Sequence, residues 1–256
     1  MKLWNRTIPY HNPDADTPDM LTPYLIDTNE PRPCVIVLPG GAYKGRAYHE
    51  GEPVAQFFNS KGLHAAVLEY RVTPNYHPAP LADAQRAIRT VRANAKAWNV
   101  DPNRIVICGF SAGGHLAASA LLLPNAYDAT DEIDQENCKP NGAILCYPVI
   151  SVSEDIGHVG SGKNLLGDRY EAEKDKYELS QYVTADTPPV FLWHTSTDAG
   201  VNVKNSLVFA EKMRDNGIPF ELHVFPIGKH GLGLAPDFSD ISKWAELAAD
   251  WVERTV

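Results

Sequence analysis

The chain has 256 residues, with 32 acidic against 23 basic side chains and a formal net charge of -9. That charge opposes binding to a phosphate backbone or an anionic membrane, so we expect neither a nucleic acid nor a membrane as partner. Hydrophobic residues make up 44% and charged residues 21%, which is typical of a folded chain, and the length suits a single α/β domain over residues 1–256.

The opening segment MKLWNRTIPYHNPD lacks the continuous apolar run of a signal peptide, and no stretch is apolar for long enough to span a bilayer. Cys34, Cys108 and Cys146 lie in apolar runs, where reduced thiols pack as small hydrophobes. The cysteine spacing matches neither a zinc site nor a secreted disulfide framework. We therefore expect a cytoplasmic protein with buried free thiols and no bound metal.

Short apolar runs recur along the chain and predict strands that are buried on both faces. The last run alternates more and is expected nearer a sheet edge. The six predicted strands are Cys34–Leu38, Ala65–Tyr70, Arg104–Phe110, Ala143–Val149, Val190–His194 and Glu221–Phe225.

Helices are predicted between these strands from apolar positions that share one face. One helix spans 81–98 and ends before the turn Asp101–Asn103; another covers 241–252, with Ser239 as its N-cap. Alternating strands and helices predict an α/β fold with a mostly parallel central sheet and helices on both faces.

Residues 151–189 form the least regular stretch, with four glycines followed by a polar section. The stretch follows a central strand, at the sheet edge where open α/β folds bind ligands, so it is interpreted as a lid or substrate wall. A solvated connection is the alternative. The sequence does not decide whether this stretch moves.

The most informative motif is G-x-S-x-G at Gly109–Gly113, between a predicted strand and an apolar helix. A serine on such a tight turn presents its hydroxyl outward, and the helix start directs backbone N–H groups toward an oxyanion formed beside it. Ser111 is therefore the candidate nucleophile.

A serine hydroxyl needs a base and a carboxylate that orients the base. His230 follows the last predicted strand in a glycine-flanked loop, so it is the predicted base, whereas His223 lies inside a strand and His194 precedes the acid. His115 lies on the helix of the serine itself. Asp198, just beyond the strand Val190–His194, is the predicted acid, ahead of Asp155 and Asp186.

A second glycine cluster, Pro39–Tyr43, directly follows the first predicted strand. Small residues there let backbone amides approach a tetrahedral oxygen. The amides of Gly41 and Ala112, with Gly40 as a further candidate, are predicted to form an oxyanion hole.

Together these residues resemble the esterase/lipase branch of the α/β-hydrolases that carries an HGGG-type loop, and within it the acetyl-xylan-esterase-like carbohydrate esterases. The similarity runs through LPGGAY, LEYRVTP, HPAPLADAQRAIRTVRANAKAWNVDPNRIVICGFSAGGHLAA, CYPVIS, NLLGD, HTSTDAGV and NSLVFAEKMRDNGIPFELHVFPIGKHGLGLA. It implies triad roles for Ser111, Asp198 and His230 and oxyanion roles for Gly41 and Ala112.

The sequence departs from that family at three positions: Pro39 replaces the histidine of HGGG, Ala42 its third glycine, and Asn202 a proline after the acid. None of them removes a catalytic group. The first two mark the carbohydrate-esterase-like members, and the third is expected to alter the acid loop slightly.

The resemblance further implies a serine esterase that removes small acyl groups, acetyl above all, from acetylated sugars or xylo-oligosaccharides without a cofactor. The partner is then a small ester substrate, and a homo-oligomer stays open. Tyr43, Tyr147 and Trp193 could offer aromatic faces to a sugar, although core packing is favoured for them. An aryl-formamidase, a general short-chain carboxylesterase and a catalytically silent binding module are the alternatives.

Overall fold

The computed structural model describes residues 1–5, 7–15 and 20–256, and a seven-stranded sheet forms its centre. The strand order is β1-β3-β2-β4-β5-β6-β7; β1 pairs antiparallel with β3, and every other pair is parallel. The strands are β1 (Met20–Tyr24), β2 (Arg32–Leu38), β3 (His64–Glu69), β4 (Val100–Phe110), β5 (Gly142–Cys146), β6 (Val190–Thr195) and β7 (Phe220–Phe225).

Helices lie on both faces of this sheet, which confirms the predicted α/β architecture. They are α1 (Glu52–Ser60), α2 (Ala79–Ala93), α3 (Ala95–Trp98), α4 (Ala112–Leu122), α5 (Val159–Leu166), α6 (Tyr170–Glu173), α7 (Lys204–Asp215) and α8 (Lys243–Thr255). Among the helices of the described ranges, none combines the length and apolarity needed to cross a bilayer.

Two hydrophobic cores, one on each face, follow from the alternation of side chains along the strands. In β2, Cys34 and Ile36 face the core formed with α2, α4 and α7, whereas Val35 and Val37 face the core formed with α1 and α8. Each central strand thus buries both of its faces, as its unbroken apolar run predicts. All four cysteines are buried and free, as expected.

Strand β1 was not predicted from the sequence. It is short and contains Pro23, which cannot donate a backbone hydrogen bond, so its pattern is weak. Its position at the sheet edge accommodates the proline, because a neighbouring strand is needed on only one side. The predicted edge position of β7 is confirmed.

Two predicted helix limits were wrong. The helix predicted over 81–98 is divided at Asn94 into α2 and α3. Helix α8 begins at Lys243, so Ser239 is not its N-cap, because residues before it form turns in which the Ser242 amide donates to the Phe238 carbonyl. The predicted turn at Asp101–Asn103 lies inside β4, where it interrupts the pairing with β2. The pairing holds at Val100, opposite Arg32, and resumes at Ile105, opposite Cys34.

Residues 151–189 fold into α5, α6 and short 3-10 turns that pack on the α2 and α4 side. Leu165, Leu166, Tyr170 and Leu179 are buried in that core. Since a merely solvated connection would leave such side chains exposed, this segment is an integral layer of the fold.

Candidate active site

Ser111 lies at the turn from β4 into α4 with φ 52° and ψ -117°. A non-glycine residue in this region costs on the order of 1–3 kcal/mol and persists only where its surroundings impose it. The glycines on either side permit the close approach: a Cβ at Gly113 would lie 2.2 Å from the carbonyl oxygen of Leu38, and one at Gly109 only 2.1 Å from that of Gly113. The G-x-S-x-G pattern is therefore required by the backbone geometry.

The structure brings together the three side chains predicted to form a triad. Ser111 Oγ lies 2.8 Å from His230 Nε2, and His230 Nδ1 lies 2.7 Å from Asp198 Oδ2. The Asp198 side chain is 1% exposed, whereas the His230 side chain is 26% exposed. The histidine is thus accessible, while its carboxylate partner is shielded from water.

Hydrogen bonds keep the Asp198 carboxylate charged. Its Oδ1 accepts from the amides of Gly200 and Val201 at 2.8 and 2.9 Å. Burial alone would raise the pKa of Asp198, but hydrogen bonds from His194, His230 and the Val201 amide hold that pKa well below its usual range. An ionised acceptor fixes the proton of His230 on Nδ1, so Nε2 is free to accept the Ser111 hydroxyl proton.

His194 lies beside the acid of the triad, although no role was predicted for it from the sequence. It is fully buried; its Nδ1 accepts from the Ser206 hydroxyl at 2.8 Å, and its Nε2 donates to the Val201 carbonyl at 3.0 Å. The same Nε2 lies 3.4 Å from Asp198 Oδ2. Its place at the end of β6, four residues before the acid, was the available signal.

The loop Pro39–Tyr43 passes directly beside Ser111, since a Cβ built on Gly40 would lie 3.0 Å from Ser111 Cβ. The assignment of Gly40 to the oxyanion hole was wrong, because its amide donates to Glu50 Oε2 at 2.7 Å. Within the described ranges, the amides of Gly41 and Ala112 have no protein acceptor. These two predicted donors are available to a ligand.

The backbone of this loop explains two of its residues. Gly41 has φ 138°, and a Cβ there would lie 2.3 Å from the carbonyl oxygen of Gly45, so only glycine fits. Ala42 replaces the third glycine of the HGGG pattern, yet it adopts φ 53° in the left-handed region that glycine favours. The alanine therefore occupies a conformation in which glycine would carry no steric penalty.

Glu50 is a second functional contact that the sequence analysis did not identify. It is 2% exposed, and besides the Gly40 amide it accepts from the Tyr147 hydroxyl at 2.6 Å. That hydroxyl in turn accepts from the amide of Gly233, in the loop that carries His230, at 2.8 Å. Burial and the Glu50 charge raise the pKa of Tyr147 well above its usual value, which keeps this donor protonated.

The aromatic residues considered for sugar binding do not present open faces. Tyr43 and Tyr147 are each 1% exposed, and Trp193 is fully buried against Trp244 at a ring distance of 5.1 Å. The Tyr43 hydroxyl is 2.9 Å from His115 Nδ1. These three aromatic side chains are therefore part of the hydrophobic core, which was the favoured interpretation.

The other candidates occupy different places. His223 pairs with Glu221 on the edge strand at 2.8 Å, and Asp155 and Asp186 are exposed. Asn202 does not contact the acid; its side chain accepts from the Lys204 amide at the start of α7. No alternative base or acid contacts Ser111 among the described side chains.

A mostly parallel sheet, a strained serine on the turn after β4, and a histidine and carboxylate from the loops after β7 and β6 define an α/β-hydrolase. This chain belongs to the BD-FAE family, whose model matches residues 21–213.

Several known proteins are similar to the chain, among them two curated xylan-related enzymes. Endo-1,4-beta-xylanase B of Butyrivibrio fibrisolvens is 39% identical over 220 residues, which cover 84% of this chain and 34% of the xylanase. An acetylxylan esterase of Xylanibacter ruminicola is 32% identical over 227 residues, covering 86% of this chain and 45% of the esterase. The chain thus spans less than half the length of these two curated relatives.

A solved structure matches nearly the whole chain. The acetyl ester-xyloside bifunctional hydrolase from Caldicellulosiruptor lactoaceticus gives a TM-score of 0.94 at 46% sequence identity, covering 99% of this chain and 94% of that one. The same architecture is therefore found in a protein of nearly the same extent.

Proposed function

We propose that the chain is a serine carboxylic-ester hydrolase that removes acetyl groups from acetylated xylan fragments or related acetylated sugars. The observation that carries the proposal is the unbroken hydrogen-bonded path from Ser111 through His230 to Asp198, with distances of 2.8 and 2.7 Å. These are the contacts through which a base activates a hydroxyl and a carboxylate orients the base.

In the first step, Ser111 Oγ attacks the ester carbonyl carbon while His230 Nε2 accepts the hydroxyl proton. A tetrahedral intermediate forms, and its collapse breaks the bond to the alcohol, which leaves with the proton returned by His230. Asp198 stabilises the imidazolium that forms between the two transfers. The product of this step is an acetyl ester on Ser111 and a free sugar hydroxyl.

In the second step, water attacks the acetyl-serine, again with His230 as the base. The bond to Ser111 Oγ then breaks, His230 returns the proton to that oxygen, and acetate is released. The amides of Gly41 and Ala112 are the proposed donors to the oxygen that becomes negative in both tetrahedral intermediates. Each such donor is worth roughly a hundredfold or more in rate. Their support is that neither amide has an acceptor among the described residues, that Ala112 directly follows Ser111, and that Gly41 directly follows Gly40, where a Cβ would lie 3.0 Å from Ser111 Cβ.

The substrate class is supported by relatives. One of them is named an acetylxylan esterase, and another is named an acetyl ester-xyloside bifunctional hydrolase, so both names combine acetyl esters with xylose-based sugars. Since the second matches this chain over 99% of its length, the substrate-facing loops have counterparts there. We infer an acetylated xylose unit as the alcohol side of the substrate.

A cytoplasmic location is part of the proposal. It is supported by the four cysteines, which are buried as free thiols, as is common for proteins of reducing compartments. Fractionation of the native cells, with the protein traced by antibody, tests it. Recovery in the culture medium or the envelope would contradict it.

The activity is tested by measuring acetate release from acetylated xylo-oligosaccharides with the wild-type chain and Ser111→Ala. We expect turnover by the wild type and a loss of at least about 10⁴-fold in kcat for the variant, because the attacking atom is gone. Ester hydrolysis that survives in Ser111→Ala would contradict the proposal.

The alternatives are separated in the same experiment by two further substrates, formylkynurenine and a series of 4-nitrophenyl acyl esters. Preferential turnover of formylkynurenine would assign an aryl-formamidase. Equal kcat/KM for acetyl, propionyl and butyryl esters, with none for acetylated sugars, would assign a general short-chain carboxylesterase. A wild-type chain inert toward all of them would be a silent binding module.

A further inference from the structure

The loop that supplies the proposed Gly41 oxyanion donor has an unusual backbone. Ala42 and Tyr43 follow each other with φ 53° and φ 56°, and neither is glycine. Two successive side-chain-bearing residues in the left-handed region are unfavourable without outside support, so the surroundings must hold this conformation.

Contacts from other segments hold the two ends of the loop. The Gly40 amide donates to Glu50, and the Tyr43 carbonyl accepts from the Thr73 amide at 2.8 Å. These contacts fix where the loop enters and where it leaves. They do not touch the peptide units between Gly41 and Tyr43.

Within the loop, the Gly40 carbonyl accepts from the Ala47 amide at 2.8 Å, and the Gly41 carbonyl accepts from the amides of Lys44 and Gly45 at 2.9 and 3.1 Å. The next carbonyl, that of Ala42, is held by a side chain from another segment. Asn164 Nδ2 donates to the Ala42 carbonyl oxygen at 2.8 Å. This carbonyl belongs to the peptide unit that shares the Ala42 Cα with the Gly41–Ala42 unit. The Gly41 amide lies one peptide unit further back, so rotations at Gly41 and Ala42 separate it from the Ala42 carbonyl. Fixing this carbonyl therefore limits the rotation at Ala42 and, through the Gly41–Ala42 unit, the freedom of the Gly41 amide.

Helix α5, which carries Asn164, is itself firmly attached. The Leu165 carbonyl accepts from the His77 amide at 2.8 Å, and Leu165 is buried in the core. At the N-terminus of the helix, His158 Nδ1 accepts from the Ser161 amide at 3.1 Å. The donor amide of Asn164 therefore projects from a fixed helix and can set the position of its acceptor.

We propose that Asn164 is a positioning residue for the oxyanion loop, acting through the Ala42 carbonyl. The inference rests on the proposed ester hydrolysis and adds a role for residues 151–189: this segment orients the loop beside the nucleophile. Since an oxyanion donor acts mainly on the transition state, losing its alignment lowers kcat and leaves KM nearly unchanged.

The test compares Asn164→Ala with Lys163→Ala, a neighbouring exposed residue on the same helix that does not contact the loop. Hydrolysis of 4-nitrophenyl acetate is measured with binding of phenylboronic acid, which forms a tetrahedral adduct with a serine hydroxyl. We expect Asn164→Ala to lose roughly 10-fold in kcat, the equivalent of about 1.4 kcal/mol, with KM within twofold. Boronate affinity should fall by a similar factor, and Lys163→Ala should match the wild type.

Asn164→Asp is the second variant, because it keeps the shape of the side chain and guards against a folding failure of the alanine variant. An ionised carboxylate cannot donate to the Ala42 carbonyl, so we expect a loss at least as large as for alanine. Melting temperatures of all variants are recorded with the kinetics. A lower melting temperature with unchanged kcat and boronate affinity would assign Asn164 a purely structural role and overturn the proposal.

The failure of this proposal is distinguishable from that of the proposed function. If the wild type hydrolyses acetyl esters but both Asn164 variants equal Lys163→Ala, only the positioning role is refuted. If the wild type neither hydrolyses these esters nor binds the boronate, both inferences fall together.

Discussion

Replacing Asp198 with asparagine exchanges one acceptor oxygen for a donor while keeping the shape of the side chain. The Gly200 and Val201 amides donate to Oδ1, so the remaining oxygen of the asparagine would occupy that position. Its amide nitrogen would then take the place of Oδ2, 2.7 Å from His230 Nδ1. The fold is expected to survive, because both backbone hydrogen bonds are retained.

The expected loss in kcat follows from the effect of the substitution on the tautomer of His230. A donor opposite Nδ1 stabilises the tautomer that carries its proton on Nε2, which lies 2.8 Å from Ser111 Oγ. That nitrogen can then no longer accept the hydroxyl proton. The substitution also removes the charge that stabilises the imidazolium, and the combined loss expected for a wrong tautomer is about 10⁴-fold in kcat, or roughly 5.5 kcal/mol of barrier.

The assay is the initial rate of 4-nitrophenyl acetate hydrolysis between pH 5 and 9, with urea unfolding as the check on stability. Because the pKa of Asp198 is held well below its usual range, the wild-type carboxylate stays charged throughout this interval. The variant should therefore be impaired at neutral pH with an unfolding midpoint close to wild type. A kcat within about tenfold of wild type would refute the role of Asp198 in fixing the tautomer.

Three further predictions follow from buried contacts. Gly113→Ala should lower the free energy of unfolding by about 1–3 kcal/mol or more in urea, because its Cβ would lie 2.2 Å from a backbone carbonyl oxygen. Glu50→Gln should cost about 1–3 kcal/mol in the same measurement and also lower kcat, since its oxygen can accept from only one of the two donors, Gly40 and Tyr147, and its amide nitrogen would face the other. Hydrogen bonds hold the pKa of Asp134 at about 2 despite burial, so its contribution of about 2 kcal/mol is present above pH 4 and lost as pH falls toward 2. The stability difference between wild type and Asp134→Asn should shrink over that interval.

A specific result would contradict each of these three predictions. Unchanged urea midpoints for Gly113→Ala would show that the strand-to-helix turn tolerates a side chain. Full activity of Glu50→Gln would show that this carboxylate does not support the catalytic loops. A constant stability difference between wild type and Asp134→Asn from pH 5 to pH 2 would mean that Asp134 does not titrate in that interval.

The elements identified from the sequence are those with a local cause. Strands β2, β4 and β6 each contain a buried, mainly apolar run, because the strand buries both faces there. The glycines around Ser111 are required by backbone approaches near 2 Å. The order serine, acid, histidine then restricted the partners to a few candidates. Such features leave a pattern in consecutive residues.

Most features that were not predicted from the sequence depend on contacts between residues far apart in the chain. Gly40 was included in the oxyanion hole because small residues let backbone amides approach a tetrahedral oxygen, and only the fold brings Glu50 to its amide. Asn164 donates to Ala42, 122 positions away in the chain, so no local pattern predicts the contact. His194 lies only four residues before Asp198, but its place in an apolar strand predicts a packed core residue. Strand β1 pairs with a sequence 40 or more residues away, Met20 opposite Glu69, and carries too little pattern of its own.

The central claim is that the Ser111 hydroxyl is activated by the histidine and carboxylate that contact it. It is tested most directly by titrating the wild-type chain with a fluorophosphonate and mapping the modified peptide by mass spectrometry. We expect one label per chain, on Ser111, with acetyl-ester hydrolysis lost in proportion to labelling and no label on His230→Ala within the same time. Labelling at another residue, or hydrolysis that persists after Ser111 is fully modified, would contradict it.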